Sequence, residues 1–193
     1  MHTLQRHDLL SLEAYAAQRA DFRARVMAHK KQRSVHVGAH LTLVFEDCLT
    51  IQYQIQEMLR IERIFEASGI EEELDAYNPL IPDGKNLKAT LFIEYPDAEQ
   101  RKRELARLAG LEHGITLTVS GHPSVTAIAD EDMDRSTEEK TAAVHFLRFE
   151  LSEGMIEAWK SGAAVKLAST HSLMCEEVTL SETLRKALAE DFD

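Results

Sequence analysis

The chain has 193 residues, 44% of them hydrophobic and 28% charged, and a formal net charge of −11. That length suits one domain, and the composition is that of a globular protein. The acidic balance argues against a general nucleic-acid binder, which needs a basic surface to neutralise phosphates, and against adsorption to anionic membranes.

The start, MHTLQRHDLLSLEAY, lacks the apolar core of a signal peptide. No later apolar run approaches the ~18 residues that a spanning helix needs, so a cytoplasmic location is expected. Cys48 and Cys175 stand far apart with no CxxC or Cys–His cluster, so neither a redox motif nor a structural zinc site is encoded. Cys48 falls in an apolar stripe and reads as core rather than as a reactive thiol.

Residues 8–31 read as a helix with Asp8 as N-cap and Leu12, Tyr15, Phe22 and Val26 on the apolar face. Arg19 and His29 fall on that same face. The helix ends in HKKQR, cations placed at the negative end of the macrodipole; the functional alternative is an anion or partner site. A hairpin follows. A three-residue loop, Gly38-Ala39-His40, pairs Val37 with Leu41 and Val35 with Leu43 and keeps Phe45 on their face, whereas a two-residue loop splits these side chains between faces. His40, at the tip, is expected in solvent.

Residues 47–69 form the central predicted helix. At about 100° per residue, Cys48, Ile51, Ile55, Met58, Leu59, Ile61 and Phe65 share one broad sector, opposed by Gln52, Gln56, Arg60 and Arg63. Glu62 points into the apolar sector. A carboxylate there needs a partner, and Arg19 is nominated, because two desolvated charges are tolerable only beside each other. So strong a stripe predicts packing against a sheet. The acidic stretch 71–77 adds a helical turn or two, and residues 78–84, dense in turn formers, make a loop suited to a mobile flap.

Strands are expected at 87–95, 115–119, 125–129, 142–151 and 165–169, and helices at 97–108, 153–161 and 181–191, the last capped by Ser181. Residues 142–151 carry apolar side chains on both faces and belong inside the sheet. The order predicts an α+β class: a mainly antiparallel sheet of about five to seven strands, with a long N-terminal helix and a long central helix packed on it. A single domain over 1–193 is expected, with a C-terminal helical tail from about 170.

Asp130, Asp132 and Asp134 have the spacing that opens a calcium loop, but Arg135 replaces the sixth-position glycine and Thr141 the acidic twelfth residue, so an acidic loop is the simpler reading. His145 shares a strand face with Leu147 and Phe149 and reads as a satisfied core histidine, the alternative being a ligand or general base. A metal site has to be assembled across elements, for example from His29, Glu62 and His145. No GxGxxG, P-loop, GxSxG or HExxH pattern occurs, and no nucleophile or cofactor is nominated. The catalytic candidates are Glu62, Arg19 and His145.

The blocks RARVMAHKK, LTLVFEDCLTIQYQIQEMLRIERIF, ELDAYNPLIPDG, LKATLFIEYPD and ADEDMDRSTEEKTAAVHFLRFEL cover most of residues 10–151. They resemble a bacterial domain-of-unknown-function family, family 3501; the tail after about residue 168 lies outside the resemblance. That family offers no catalytic residues to carry over. Its members look like companions of rubrerythrin-type di-iron proteins and iron–sulfur oxidoreductases, being commonly encoded beside them, which implies a role in a redox or peroxide-stress system. The chain has neither the ExxH pairs of a di-iron bundle nor the cysteines of an iron–sulfur protein, so any redox cofactor belongs to its partners. Two functions follow. One is a non-catalytic accessory or interaction protein acting with those partners. The alternative is a metal-dependent or small-molecule enzyme with its site where the central helix meets the sheet, using Glu62, Arg19, His29 and His145. A homodimer stays open.

Overall fold

The computed structural model describes residues 3–129 and 141–192, and in it the strands divide between two antiparallel sheets where the sequence suggests one. The first sheet runs β1 (Ser34–Val37), β2 (Leu41–Phe45), β3 (Asn86–Ile93), β7 (Val144–Glu150), β6 (Ile128–Ala129). The second runs β5 (Val125–Thr126), β4 (Ile115–Val119), β8 (Val165–His171), β9 (Met174–Thr179). One apolar core joins them: Leu43, Leu91, Leu147 and Phe149 from the first sheet pack with Leu117, Val165 and Leu167 from the second. Helices α5 (Glu153–Lys160) and α6 (Glu182–Ala189) add Trp159, Leu184 and Leu188 to that core.

The hairpin has the expected register, Val35 opposite Leu43 and Val37 opposite Leu41, with Gly38 at φ +66 in the turn. His40 is half-buried rather than solvated, its ring stacked on Tyr95 at 4.1 Å. Strand β7 pairs on both sides, as expected for residues 142–151, although its Val144, Phe146, Arg148 face is only half-buried. The segment expected as one strand at 125–129 is two. It breaks at Ala127, whose N–H stays bonded to the Ile115 carbonyl while the chain passes from the second sheet to the first. Strand β9 is unanticipated. It is an edge strand carrying exposed Glu176 and Glu177, which guard its open backbone groups but erase the apolar alternation that marks a strand.

Helix α1 (Leu12–Gln32) begins later than expected, because the Ser11 hydroxyl accepts the Ala14 N–H at 3.2 Å and supplies the cap. Asp8 ends a 3-10 turn, Arg6–Asp8, and accepts the Gln5 N–H. Helix α2 (Cys48–Glu62) is capped by Asp47 and closes at Arg63, whose φ of 58 is left-handed; α3 (Ala67–Tyr77) then starts a new direction. The helix predicted over 47–69 is therefore two helices and a corner. Helix α4 (Ala98–Arg107), capped by Asp97, matches its prediction.

Helices α2 and α3, together with Leu4 and Ile81, form a separate smaller core of Ile51, Ile55, Leu59 and Leu74. The buried face of α2 thus meets helices and the N-terminal segment instead of a sheet. Its buried residues Thr50, Ile51, Ile55, Gln56 and Leu59 centre about 45° around the helix from the stripe read in the sequence. Gln56 is the reason for part of that shift. Expected on the wet face, it is fully buried, where its side-chain oxygen accepts the Leu10 N–H at 2.6 Å and its NH2 donates to the Leu10 carbonyl at 3.3 Å. Among the described residues no helix is long and apolar enough to cross a membrane. Strand β3, bonded on both edges at the middle of its sheet, should hold the slowest amides in native-state hydrogen exchange, with those of the two-residue strand β5 much faster.

Candidate functional site

The four polar residues nominated from the sequence, Arg19, His29, Glu62 and His145, go to four separate places. Arg19 reaches from α1 to Glu57 of α2 in a bidentate pair, Nε to Oε1 at 2.7 Å and Nη2 to Oε2 at 2.8 Å. The Tyr15 hydroxyl donates to the same carboxylate at 2.6 Å, and Arg60 Nη2 at 3.2 Å. Phe22 stacks on Tyr53 one turn away, so α1 and α2 meet along an aromatic and ionic seam. The expected partner of Arg19, Glu62, is exposed at the last residue of α2, and the Arg19–Glu62 pair does not form. The Arg19 hydrogen bonds hold the Glu57 carboxyl down to about 2, while burial pushes the Tyr15 hydroxyl well above its usual range. Because the folded value of Glu57 is depressed, its stabilisation is present above the ordinary glutamate range and is lost as pH falls toward about 2. Glu57→Gln should lower the melting temperature at neutral pH, and its difference from the unsubstituted protein should shrink on acidification.

His29 lies at the other end of α1, where its Nε2 hydrogen-bonds Asp47 Oδ2. The residue that sequence reasoning missed is Arg33. Only 2% exposed, it donates from Nε to the Phe45 carbonyl at 3.1 Å, from Nη1 to Ala187 at 3.3 Å and from Nη2 to Glu46 at 3.3 Å. Its Nη2 also pairs with Asp191, and its Nε lies 3.5 Å from Asp47. The only sequence signal was the cationic run HKKQR, read as a helix-end feature. Beside Arg33 a cleft of about 500 Å³ opens between the start of α2, at Cys48 and Leu49, the loop around Pro82 and Asp83, and the C-terminal Glu190 and Asp191. The segment proposed as a flap therefore forms one wall. Burial pushes the Asp191 carboxyl up to about 6 even beside Arg33, and burial likewise raises the half-buried Cys48 thiol. With a raised folded value, the contribution of Asp191 to stability is fully present below the ordinary aspartate range and is lost as pH rises through about 6. Arg33→Met leaves Asp47 and Asp191 without their buried cation, and chemical denaturation should show a loss of about 3–5 kcal/mol.

His145 is fully buried on β7, as a satisfied core residue. The Thr141 hydroxyl lies 2.8 Å from its Nε2 and donates to Glu112 Oε2 at 2.8 Å; the Ala142 carbonyl is 3.0 Å from the same nitrogen. That geometry suits an imidazole whose Nε2 carries the proton. His29 beside Asp47, Glu62 in solvent and His145 in the sheet core do not form the metal set considered from sequence, and among the described residues no group of three or more His, Cys, Asp or Glu is arranged to hold a metal. Asp130, Asp132 and Asp134 lie outside the described residues.

The remaining feature is the corner between α2 and α3. Ile64 N–H bonds back to the Leu59 carbonyl at 2.9 Å, and Ile64 turns into the helical core above Gly69, where an added Cβ would meet its Cγ2 at 2.7 Å. Its neighbours go the other way. Ile61 is 61% exposed and Phe65 72% exposed, although both were read as members of the buried stripe. Ile61 lies about 160° around the helix from Leu59, so the roll that buries one exposes the other. Nearby on α3, Glu73 has one carboxylate oxygen buried with no hydrogen-bond partner, and burial first, then Glu62 and Glu72, raise its carboxyl.

The described features define an α+β protein with two antiparallel sheets, a helical appendage and an apolar corner. Over residues 3–192 the chain matches the family described as protein of unknown function (DUF3501), and it belongs to that family. The match takes in the C-terminal segment beyond the resemblance blocks. The chain is similar to a protein of known crystal structure from Burkholderia pseudomallei K96243, described as a novel protein of unknown function, at 52% identity over 100% of both chains and a TM-score of 0.94. No curated protein matches the chain.

Proposed function

We propose that this chain is a non-catalytic accessory protein that acts by docking to other proteins, within the redox or peroxide-stress system its family resemblance implies. The observation that carries the reading is the exposed pair Ile61 and Phe65 at the α2–α3 corner. Two large apolar side chains held in water on a tight turn are a feature of interaction surfaces, where such anchors supply most of the affinity. The sequence-nominated polar groups support the same reading, since Arg19, His29 and His145 are engaged in ties between elements of the fold. The partners proposed are rubrerythrin-type di-iron and iron–sulfur proteins, which bring their own redox cofactors. In a calorimetric titration with a purified rubrerythrin-type protein, Ile61→Ser with Phe65→Ser should weaken binding by at least about tenfold while melting stays unchanged. Equal affinity for the two forms would overturn the reading.

The cleft beside Arg33 favours a second reading, a metal-dependent or small-molecule enzyme with its site where the central helix leaves the first sheet. Elemental analysis of the purified protein separates the two. A stoichiometric metal that is lost in Asp47→Asn supports the enzyme; a metal-free protein that still binds its partner supports the accessory role.

A further inference from the structure

The exposed apolar corner is bordered by carboxylates. Glu62 and Glu66 alternate with Ile61 and Phe65 along the chain and are themselves exposed, as is Glu72 on the facing turn of α3. Glu62 and Glu72 both lie close enough to act electrostatically on Glu73, whose Oε2 is buried without a hydrogen-bond partner. A buried carboxylate oxygen with no donor is costly, and here two neighbouring carboxylates deepen the negative potential around it. Cations of the chain itself do little to balance this group. Arg60 is taken by Glu57, leaving Arg63 on the corner, while Arg6 and His7 line a groove with Glu71 and Asp75.

Charge complementarity then selects the occupant. A second copy would bring the same carboxylates face to face across a two-fold interface, between chains that each carry a formal charge of −11. An anionic membrane is repelled for the same reason. A segment that presents an apolar side chain beside a lysine or arginine satisfies both halves of the corner at once. Resting on the docking reading above, we propose that the α2–α3 corner binds a basic, apolar segment of a partner protein. In that complex an apolar anchor sits on Ile61 and Phe65, and a lysine or arginine lies among the exposed carboxylates Glu62, Glu66 and Glu72.

The test uses the full chain and three labelled synthetic peptides of equal length, followed by fluorescence anisotropy: an amphipathic Leu/Lys helix, its Leu/Glu counterpart, and a Lys/Ser peptide without apolar residues. Only the Leu/Lys peptide should bind, and more weakly as salt rises. Ile61→Ser with Phe65→Ser, and separately Glu62→Gln with Glu72→Gln, should each weaken it by about tenfold or more. Circular dichroism of every variant checks that the fold is intact, and sedimentation of the free protein checks for self-association. Equal binding of the Lys/Ser peptide, or binding of the Leu/Lys peptide unaffected by the variants, reduces the effect to general attraction by an acidic protein and overturns the proposal. A dimer that dissociates in Ile61→Ser with Phe65→Ser assigns the corner to a second copy and also overturns it. If no peptide binds while a rubrerythrin-type protein still binds through Ile61 and Phe65, the docking reading stands and the basic-segment proposal falls.

Discussion

The roll of α2 about its own axis is set by one carboxylate. Glu57 takes two hydrogen bonds from Arg19, one from Tyr15 and one from Arg60, so its position on the helix surface decides which arc of α2 faces α1. Ile51, Ile55 and Leu59 lie in the helical core, and Ile61, about 160° around the helix from Leu59, is turned away from it. Turning α2 far enough to bury Ile61 would separate Glu57 from its donors and pull Gln56 off the Leu10 backbone. Stranded polar groups cost more than one exposed isoleucine.

Arg33 performs the complementary task at the opposite end of α1. Its guanidinium gathers carbonyl groups from the end of β2, the entry to α2 and the body of α6, and places the side-chain carboxylate of Asp191 among them. Such a hub ties the sheet core to the helical appendage through directional bonds rather than through shared apolar surface. Burial beside the cleft is why Asp191 holds its proton to unusually high pH, with Asp47 and Glu190 adding a smaller push.

Those features that depend on local constraints are legible in the sequence. The hairpin register followed from alternation and loop length, two local constraints that agree. Ser181 capped its helix as expected, since its side chain serves only its own turn. By contrast, Glu57 and Glu62 are equally plausible partners for Arg19 until the relative placement of two helices is known, and periodicity cannot supply it. Gln56 passed for a surface residue because its partners are backbone groups of Leu10, far away in sequence. Arg33 is hidden in a basic run in which His29 and Lys30 are half-buried and Lys31 is exposed. The division of 125–129 between two sheets is likewise invisible locally: the crossing at Ala127 reflects which strands arrive later in the chain.

Amide exchange by mass spectrometry, with and without a saturating rubrerythrin-type partner, tests most directly whether the corner is the working surface. Added protection is expected over residues 59–75, where α2 ends and α3 begins, with little change elsewhere. Protection confined to residues 81–84 and 190–192, around the Arg33 cleft, with the corner unchanged, would contradict it.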